Sequence, residues 1–307
     1  MEKYSHLYTQ ELTFKNFKII NCETCGFRHI YPLPERSEVE KFYREKYYRE
    51  IQPFPYSQVN PEYIEKVLDE VNRNNDYYRI YQKVESLLQT DVRRMLDIGC
   101  GNDLLTKFFQ NQGWESFAIE PNQDAANYLN LFNLNVYNCP VEEIETIEIK
   151  NISFINLRFV LEHIMNPYRV LQQLYNLMTA GGIIRVVVPN DFSEGQLAYL
   201  ENFKEEPHWV CLPDHINYFT FESLHNLLER VGFSEVYRIT NFPLEILLLS
   251  GVNYYASEEE RKKVGPLVRN FENAFRNTGR ERLLEQYYEA LAQLGFGRAI
   301  YMYAIKK

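Results

Sequence analysis

The chain has 307 residues and carries 33 Lys and Arg against 42 Asp and Glu, a formal net charge of -9. That balance argues against a broad phosphate-binding surface, so no nucleic-acid partner is expected. Hydrophobic residues make up 45% and charged residues 24%, an ordinary globular composition that excludes disorder as the dominant state. The N-terminus has no apolar run of the signal-peptide kind. The longest aliphatic cluster, Leu244 to Val252, is too short to span a bilayer, so no membrane span is expected. Five cysteines, an odd and sparse set, do not suggest a disulfide framework and fit a reducing cytoplasm. The 24 tyrosines and 20 phenylalanines are read mainly as packing, with an aromatic-lined pocket as the sharper alternative.

Residues 1–59 read as a separate N-terminal element around Cys22-Glu23-Thr24-Cys25-Gly26, followed by Tyr31-Pro32-Leu33-Pro34. Ser37 could cap a short helix carrying Val39, Phe42 and Tyr43. Asn60-Pro61 is a helix start, with Ile64, Val67, Leu68 and Val71 at helical spacing. Strand and helix then alternate: strand 94–98, helix 104–112, strand 116–119, helix 123–132, strand 135–137, strand 152–159. A helix over 168–178, ending at Gly181-Gly182, precedes a strand over 183–188. A helix capped by Thr220 leads to a strand over 233–239. A charged helical stretch over 258–294 leads to a last strand, 299–305. Such alternation predicts an α/β fold with a doubly wound, mostly parallel sheet. The predicted organisation is an N-terminal element (1–59), a core (60–240), a helical insertion acting as lid or dimer element (241–297), and a final core strand (298–307).

Met95-Leu96-Asp97-Ile98-Gly99-Cys100-Gly101-Asn102 sits where the first of these strands meets a helix. Glycines there let the backbone turn tightly and approach a ligand, and the helix N-terminus offers free N–H groups. Glu120 ends the next strand, 21 residues after Gly99, where a carboxylate can accept hydrogen bonds from both ribose hydroxyls of an adenosine cofactor. The longer dinucleotide fingerprint is not met, because position 104 is Leu, which weakens an oxidoreductase reading.

With these pieces in order, the chain resembles the class I S-adenosylmethionine (SAM)-dependent methyltransferases. Leu96–Gly101 looks like their first motif and Ala118-Ile119-Glu120-Pro121 like their acidic loop. Phe159–Ile164 with Asn166-Pro167, Ala180-Gly181-Gly182 and Val187-Val188-Pro189-Asn190 look like the segments around the fourth and fifth strands. The resemblance covers roughly 90–240 plus the final strand. It implies a Rossmann-like seven-stranded sheet and SAM as cofactor. By resemblance Asp97, Gly99, Cys100 and Gly101 face the methionine portion, and Glu120 with Pro121 holds the ribose. Cys139, Pro140 and Val141 flank the adenine, and Arg158 and Phe159 lie under the sulfonium end. Asp103 stands where the family usually has Gly. It could crowd the methionine, pair with its ammonium, or cap the following helix.

Methyl transfer to a hydroxyl needs a proton acceptor, and histidine has the right pKa. His163 follows the fourth core strand and His215 the fifth, and both are candidate bases. Two acids and a histidine build a metal site in some relatives; here Phe159 replaces one acid, so no catalytic metal is expected. Asn190, Trp209, Asn217 and Tyr218 are candidate acceptor contacts. Cys22-x-x-Cys25-Gly26 resembles half of a zinc knuckle, in a subgroup that carries an earlier cysteine pair. That pair is missing, and His6 and His29 could complete a site only by a spacing the sequence does not test, so a knuckle-shaped hairpin without metal is expected. The leading reading is a methyltransferase acting on a small polar acceptor such as a sugar or cell-surface polysaccharide precursor. The alternative is a methyltransferase-like module that binds SAM, or no longer does, and acts by interaction.

Overall fold

The computed structural model describes residues 6–14, 17–35, 38–39, 59–203 and 206–307. The helix expected after Ser37 falls largely outside them. Among the described residues no helix is long and apolar enough to cross a membrane.

Seven strands form one mostly parallel sheet, as the alternation predicted. They are β4 (Arg94–Ile98), β5 (Glu115–Ile119), β6 (Asn135–Tyr137), β7 (Ile152–Arg158), β8 (Met178–Pro189), β10 (Phe233–Thr240) and β11 (Ala299–Lys306). Their order is β10-β11-β8-β7-β4-β5-β6, so the last strand in sequence lies inside the sheet. β4 pairs in parallel with β5 and β7, and β5 with β6. Four consecutive residues of β4, Met95 to Ile98, are buried, as both faces of a covered parallel sheet require.

A second sheet has the order β1-β2-β3-β9, from Tyr8–Phe14, Phe17–Cys22, Phe27–Tyr31 and Asn217–Tyr218. The N-terminal strands thus pair with a segment nearly two hundred residues away: Arg28 faces Tyr218 and His29 faces Asn217.

By compactness the chain divides into two units, along lines other than the sequence boundaries. One comprises residues up to Pro32 with 187–226 and 237–302; the other comprises 33–186, 227–236 and 303–307. Within the second unit the helix starts follow their sequence signals. Asn60 accepts from the Tyr63 N–H at the head of α1 (Pro61–Asn72), and Asn74 caps α2 (Asn75–Leu87). Further along lie α3 (Leu105–Asn111) and α4 (Gln123–Asn130). Asn166 accepts from the Arg169 N–H at the head of α5 (Pro167–Leu177).

Three features depart from the sequence reading. β8 begins at Met178 and runs through Gly181-Gly182, which were expected to end a helix. The reason is a close crossing: Gly181 has φ of 77°, a Cβ there would sit 2.6 Å from the Gln89 carbonyl oxygen, and the Gln89 N–H donates to the Gly181 carbonyl. The charged helical stretch is two helices, α9 (Glu258–Arg276) and α10 (Glu281–Gln293), parted at Gly279. Three helices are absent from that reading: α2, α6 (Glu194–Phe203) and α8 (Glu245–Leu249), the last two packing through Tyr199, Leu248 and Tyr254. α7 (Phe221–Val231) follows its expected cap at Thr220, which accepts from the Ser223 N–H.

Candidate active site

The glycine turn leaves β4 with two residues in left-handed backbone, Gly99 (φ 64°) and Gly101 (φ 57°). They do different things. A Cβ on Gly99 would lie 2.7 Å from Val160 Cγ2, so Gly99 is needed for close packing against the chain after β7. A Cβ on Gly101 would meet nothing within 4 Å, so the space in front of this bend is open to a ligand. The Gly99 N–H donates to the Ile119 carbonyl at 2.7 Å, locking the turn to the end of β5.

Glu120 lies where the sequence placed it and is almost fully buried. Its Oε2 accepts from the Gly101 N–H at 2.7 Å and its Oε1 from the Asn122 N–H at 2.8 Å. Each carboxylate oxygen keeps acceptor capacity beyond one backbone bond. The acid is therefore held in one orientation beside the open face of Gly101, and the arrangement fits a ribose diol. Pro121 follows it. Asn138 Nδ2 donates to the Glu120 and Pro121 carbonyls at 2.8 and 3.1 Å, tying the Cys139-Pro140-Val141 segment after β6 to the same edge. Burial first, then Asp97 and Glu120, push the Cys100 thiol well above the ordinary range, so it sits in the site as a neutral group.

Asp97, which by resemblance faces the methionine portion, is also bonded within the sheet. It is buried, and its carboxylate accepts from Asn156 Nδ2 at 2.7 Å and Thr106 Oγ1 at 3.1 Å. Asn156 in turn accepts from Arg185 Nη1 at 2.6 Å, and Arg185 Nε donates to the Tyr303 hydroxyl at 3.1 Å. Asp97 thus holds the base of the turn from inside the sheet. Burial, then the nearby Asp103 carboxylate, push its pKa up to about 7, against the opposing bonds from Asn156 and Thr106 and the charge of Arg185. The unfolded value is about 3.9. The folded chain therefore holds this proton more tightly, and the stabilisation is complete below about pH 4 and lost as pH rises through about 7. Asp97→Asn, which keeps the volume and an acceptor for Asn156, should flatten the melting temperature between pH 4 and 8 relative to the parent. An unchanged slope would show that other groups set it.

Asp103 Oδ1 accepts from the Leu105 N–H at 2.9 Å, at the first residue of α3, and from the Tyr77 hydroxyl at 2.8 Å. Its Oδ2 pairs with Arg158 at 3.2 Å. The Tyr77 hydroxyl also accepts from the Leu104 N–H at 3.2 Å. Burial, then Asp103, push the Tyr77 phenol far above its ordinary range, so it remains a donor. Arg158 lies over the exposed Phe159 ring, 5.2 Å from its centre. Tyr77 and Asn138 were invisible as site residues: nothing local separates Tyr77 from the other tyrosines, or Asn138 from any turn asparagine.

His163 stands in a single 3-10 turn (Leu161–His163) after β7, its Nε2 4.0 Å from Glu162 Oε1. Glu162 is buried. In the other unit, His215 Nε2 lies 3.9 Å from Asp214 Oδ2, and its carbonyl accepts from the Tyr218 hydroxyl at 3.0 Å.

The four expected acceptor contacts lie inside that unit's packed interior. Asn190 Nδ2 donates to the Gly295 and Gly297 carbonyls, both at 2.9 Å. Trp209 and Tyr218 each meet the Phe192 ring edge-on at 5.5 Å, and Asn217 is buried in β9. Beside them is a charged cluster that sequence reasoning missed. Arg298 Nη1 bonds Asp191 Oδ1 at 3.0 Å, with Glu245 nearby. Burial works against the Arg298 charge, but Asp191 and Glu245 outweigh it and raise its pKa. Burial pushes Asp191 up, against the pull of Arg298. Burial, then Arg298, pull His208 down to about 4, so its ring is neutral where it lies tilted by 37° against Tyr255 with centres 3.7 Å apart.

Two solved structures illustrate the likeness of fold. A 1,6-didemethyltoxoflavin-N1-methyltransferase from Burkholderia thailandensis is 12% identical, with 97% of this chain and 100% of that one covered and a TM-score of 0.50. A SAM-dependent methyltransferase from Archaeoglobus fulgidus is 21% identical, with 79% and 99% covered and a TM-score of 0.47. No curated protein matches the chain significantly. The model of a methyltransferase domain matches residues 70–237, the stretch that carries the glycine turn, Glu120 and the segment after β7, and the chain belongs to that family of methyltransferases.

Proposed function

We propose that this methyltransferase uses SAM and acts on a small polar acceptor, with a sugar or polysaccharide precursor as the favoured class. One observation carries the cofactor reading: Glu120 is clamped by the Gly101 and Asn122 amides next to the open face of Gly101. The Burkholderia thailandensis neighbour was solved with S-adenosylhomocysteine (SAH), which fits the same reading. SAM, when bound, supplies a methyl group already joined to a good leaving group. The chain's own residues hold and orient it. Glu120 accepts the ribose hydroxyls, the Gly99–Gly101 bend lets the amino acid portion approach, and Arg158 with Phe159 borders the far side.

For a hydroxyl acceptor, His163 takes the proton, oriented by the buried Glu162 beside it. His215 is the second candidate for that task. The net charge of -9 supports a neutral or polar small molecule over nucleic acid. Calorimetry with SAM and SAH should show one site per chain; no heat with either would favour the non-catalytic module. In a tritium-transfer screen over hydroxyl-bearing acceptors, His163→Ala should lower turnover by about 10²- to 10⁴-fold, the usual range for a general base, while leaving SAM affinity unchanged. Full turnover in both His163→Ala and His215→Ala would remove the base from the reading.

A further inference from the structure

The N-terminal sheet holds a cluster outside the site described above. His6, Cys22, Cys25 and His29 each present one ligand atom, and the four atoms lie within 4.8 Å of one another. Two of them come from the Cys-x-x-Cys-Gly turn between β2 and β3, where Gly26 (φ 84°) lets its N–H reach the Cys22 carbonyl at 2.8 Å. The other two, His6 and His29, could complete a site only by a spacing that the sequence does not fix, and the fold delivers them. His29 is on β3, four residues past Cys25. His6 is brought alongside by two bonds to the turn: the Glu23 N–H donates to the Leu7 carbonyl at 2.8 Å, and the Leu7 N–H to Thr24 Oγ1 at 3.1 Å.

The donor set is poised for metal. Tetrahedral zinc at about 2.0–2.3 Å from each ligand places neighbouring ligand atoms about 3.3–3.8 Å apart. His6 Nδ1 is 3.2 Å from Cys22 Sγ and 3.5 Å from Cys25 Sγ. The His29 ring is fixed in one tautomer, because its Nδ1 faces the Ile30 carbonyl at 2.8 Å and must donate. Its Nε2 is therefore a lone pair, and it is buried with no hydrogen-bond partner in a residue only 1% exposed. An orphaned buried acceptor costs free energy unless something fills it. The Cys25 N–H donates to Cys22 Sγ at 3.3 Å, which orients that sulfur within the turn.

We propose that His6, Cys22, Cys25 and His29 bind one zinc ion as a closed structural site. Two thiol protons leave as the ion enters, so two thiolates balance its charge, and four protein ligands leave no position for chemistry. The site fastens the head of β1 to the β2–β3 turn and to β3. It does not depend on the cofactor reading.

The test uses the full chain purified under reducing conditions. Elemental analysis should give about one zinc per chain, the stoichiometry of a closed site. Chain stripped by a chelator and titrated with Co²⁺ should develop thiolate charge-transfer and intense visible bands that saturate at one equivalent. Cys25→Ser should lose the charge-transfer intensity, and His29→Ala should shift the visible bands or weaken Co²⁺ binding at least tenfold. Should a variant fail to fold, the parent's own zinc content and Co²⁺ titration still decide. Fully reduced parent chain that retains no zinc and shows no cobalt bands would overturn the site, as would a Cys22–Cys25 disulfide in freshly isolated protein.

Discussion

Glu120→Ala should weaken SAM and SAH binding by about a hundredfold or more. The carboxylate offers a ribose two charge-assisted hydrogen bonds, each worth about 1.5–3 kcal/mol, and about 1.4 kcal/mol is tenfold in affinity. The substitution also frees the Gly101 and Asn122 amides that Glu120 holds, so the turn loses its preset shape as well as its acceptor. Glu120→Gln separates these effects. It keeps the volume and one oxygen but puts an amide donor against a backbone donor, and should fall between the parent and the alanine variant. Calorimetry at fixed salt, with a melting curve to show that each variant is folded, reads the result. SAM affinity in Glu120→Ala within threefold of the parent would mean that the ribose is held elsewhere, and the proposed binding mode would fail.

Arg298→Met should be strongly destabilising, by up to about 3–5 kcal/mol, the range for stripping the partner from a buried charge; Arg298 itself is 29% exposed, but the Asp191 side chain it leaves is only 2% exposed. Asp191 and Glu245 are both almost fully buried, and Glu245 Oε2 has no hydrogen-bond partner. Without the guanidinium, Asp191 is left as a desolvated acid that must take up a proton. The loss should therefore grow as pH rises above the ordinary carboxylate range, because the folded variant favours the protonated acid more than the unfolded chain does. Adding Asp191→Asn should recover part of the loss, since neither member is then left charged alone. Urea unfolding followed by circular dichroism measures both. A single variant within about 0.5 kcal/mol of the parent, the scale of an ordinary surface substitution, would show that water relieves the acids.

The core was legible where one local signal fixes one element. The apolar run of β4 followed by glycines announced the turn. Asn60-Pro61 announced a helix start that the cap then made. Glu120 was legible because an acid at the end of the second core strand has little structural reason to be there. What stayed hidden depends on partners distant in sequence. Gly181 looks like a helix stop until Gln89 crosses it. α8 reads as an aliphatic cluster because its partner Tyr199 lies about fifty residues away. The bonds that Thr106 and Asn156 make to Asp97 were hidden, because Asn156 lies on a strand 59 residues further on. Asn190 looks like an acceptor contact because the carbonyls that claim it belong to residues 295 and 297.

The line from Asp97 through Asn156 and Arg185 to Tyr303 gives the far end of the chain a say in how the bend after β4 is set. Removing the Tyr303 hydroxyl would take away the bond that fixes Arg185 Nε from the last strand, and the loosening would be felt under the cofactor loop. A random screen for weakened methyl transfer should therefore return hits at position 303 that touch no ligand, and they would belong with the binding loop, not with the surface of the last strand.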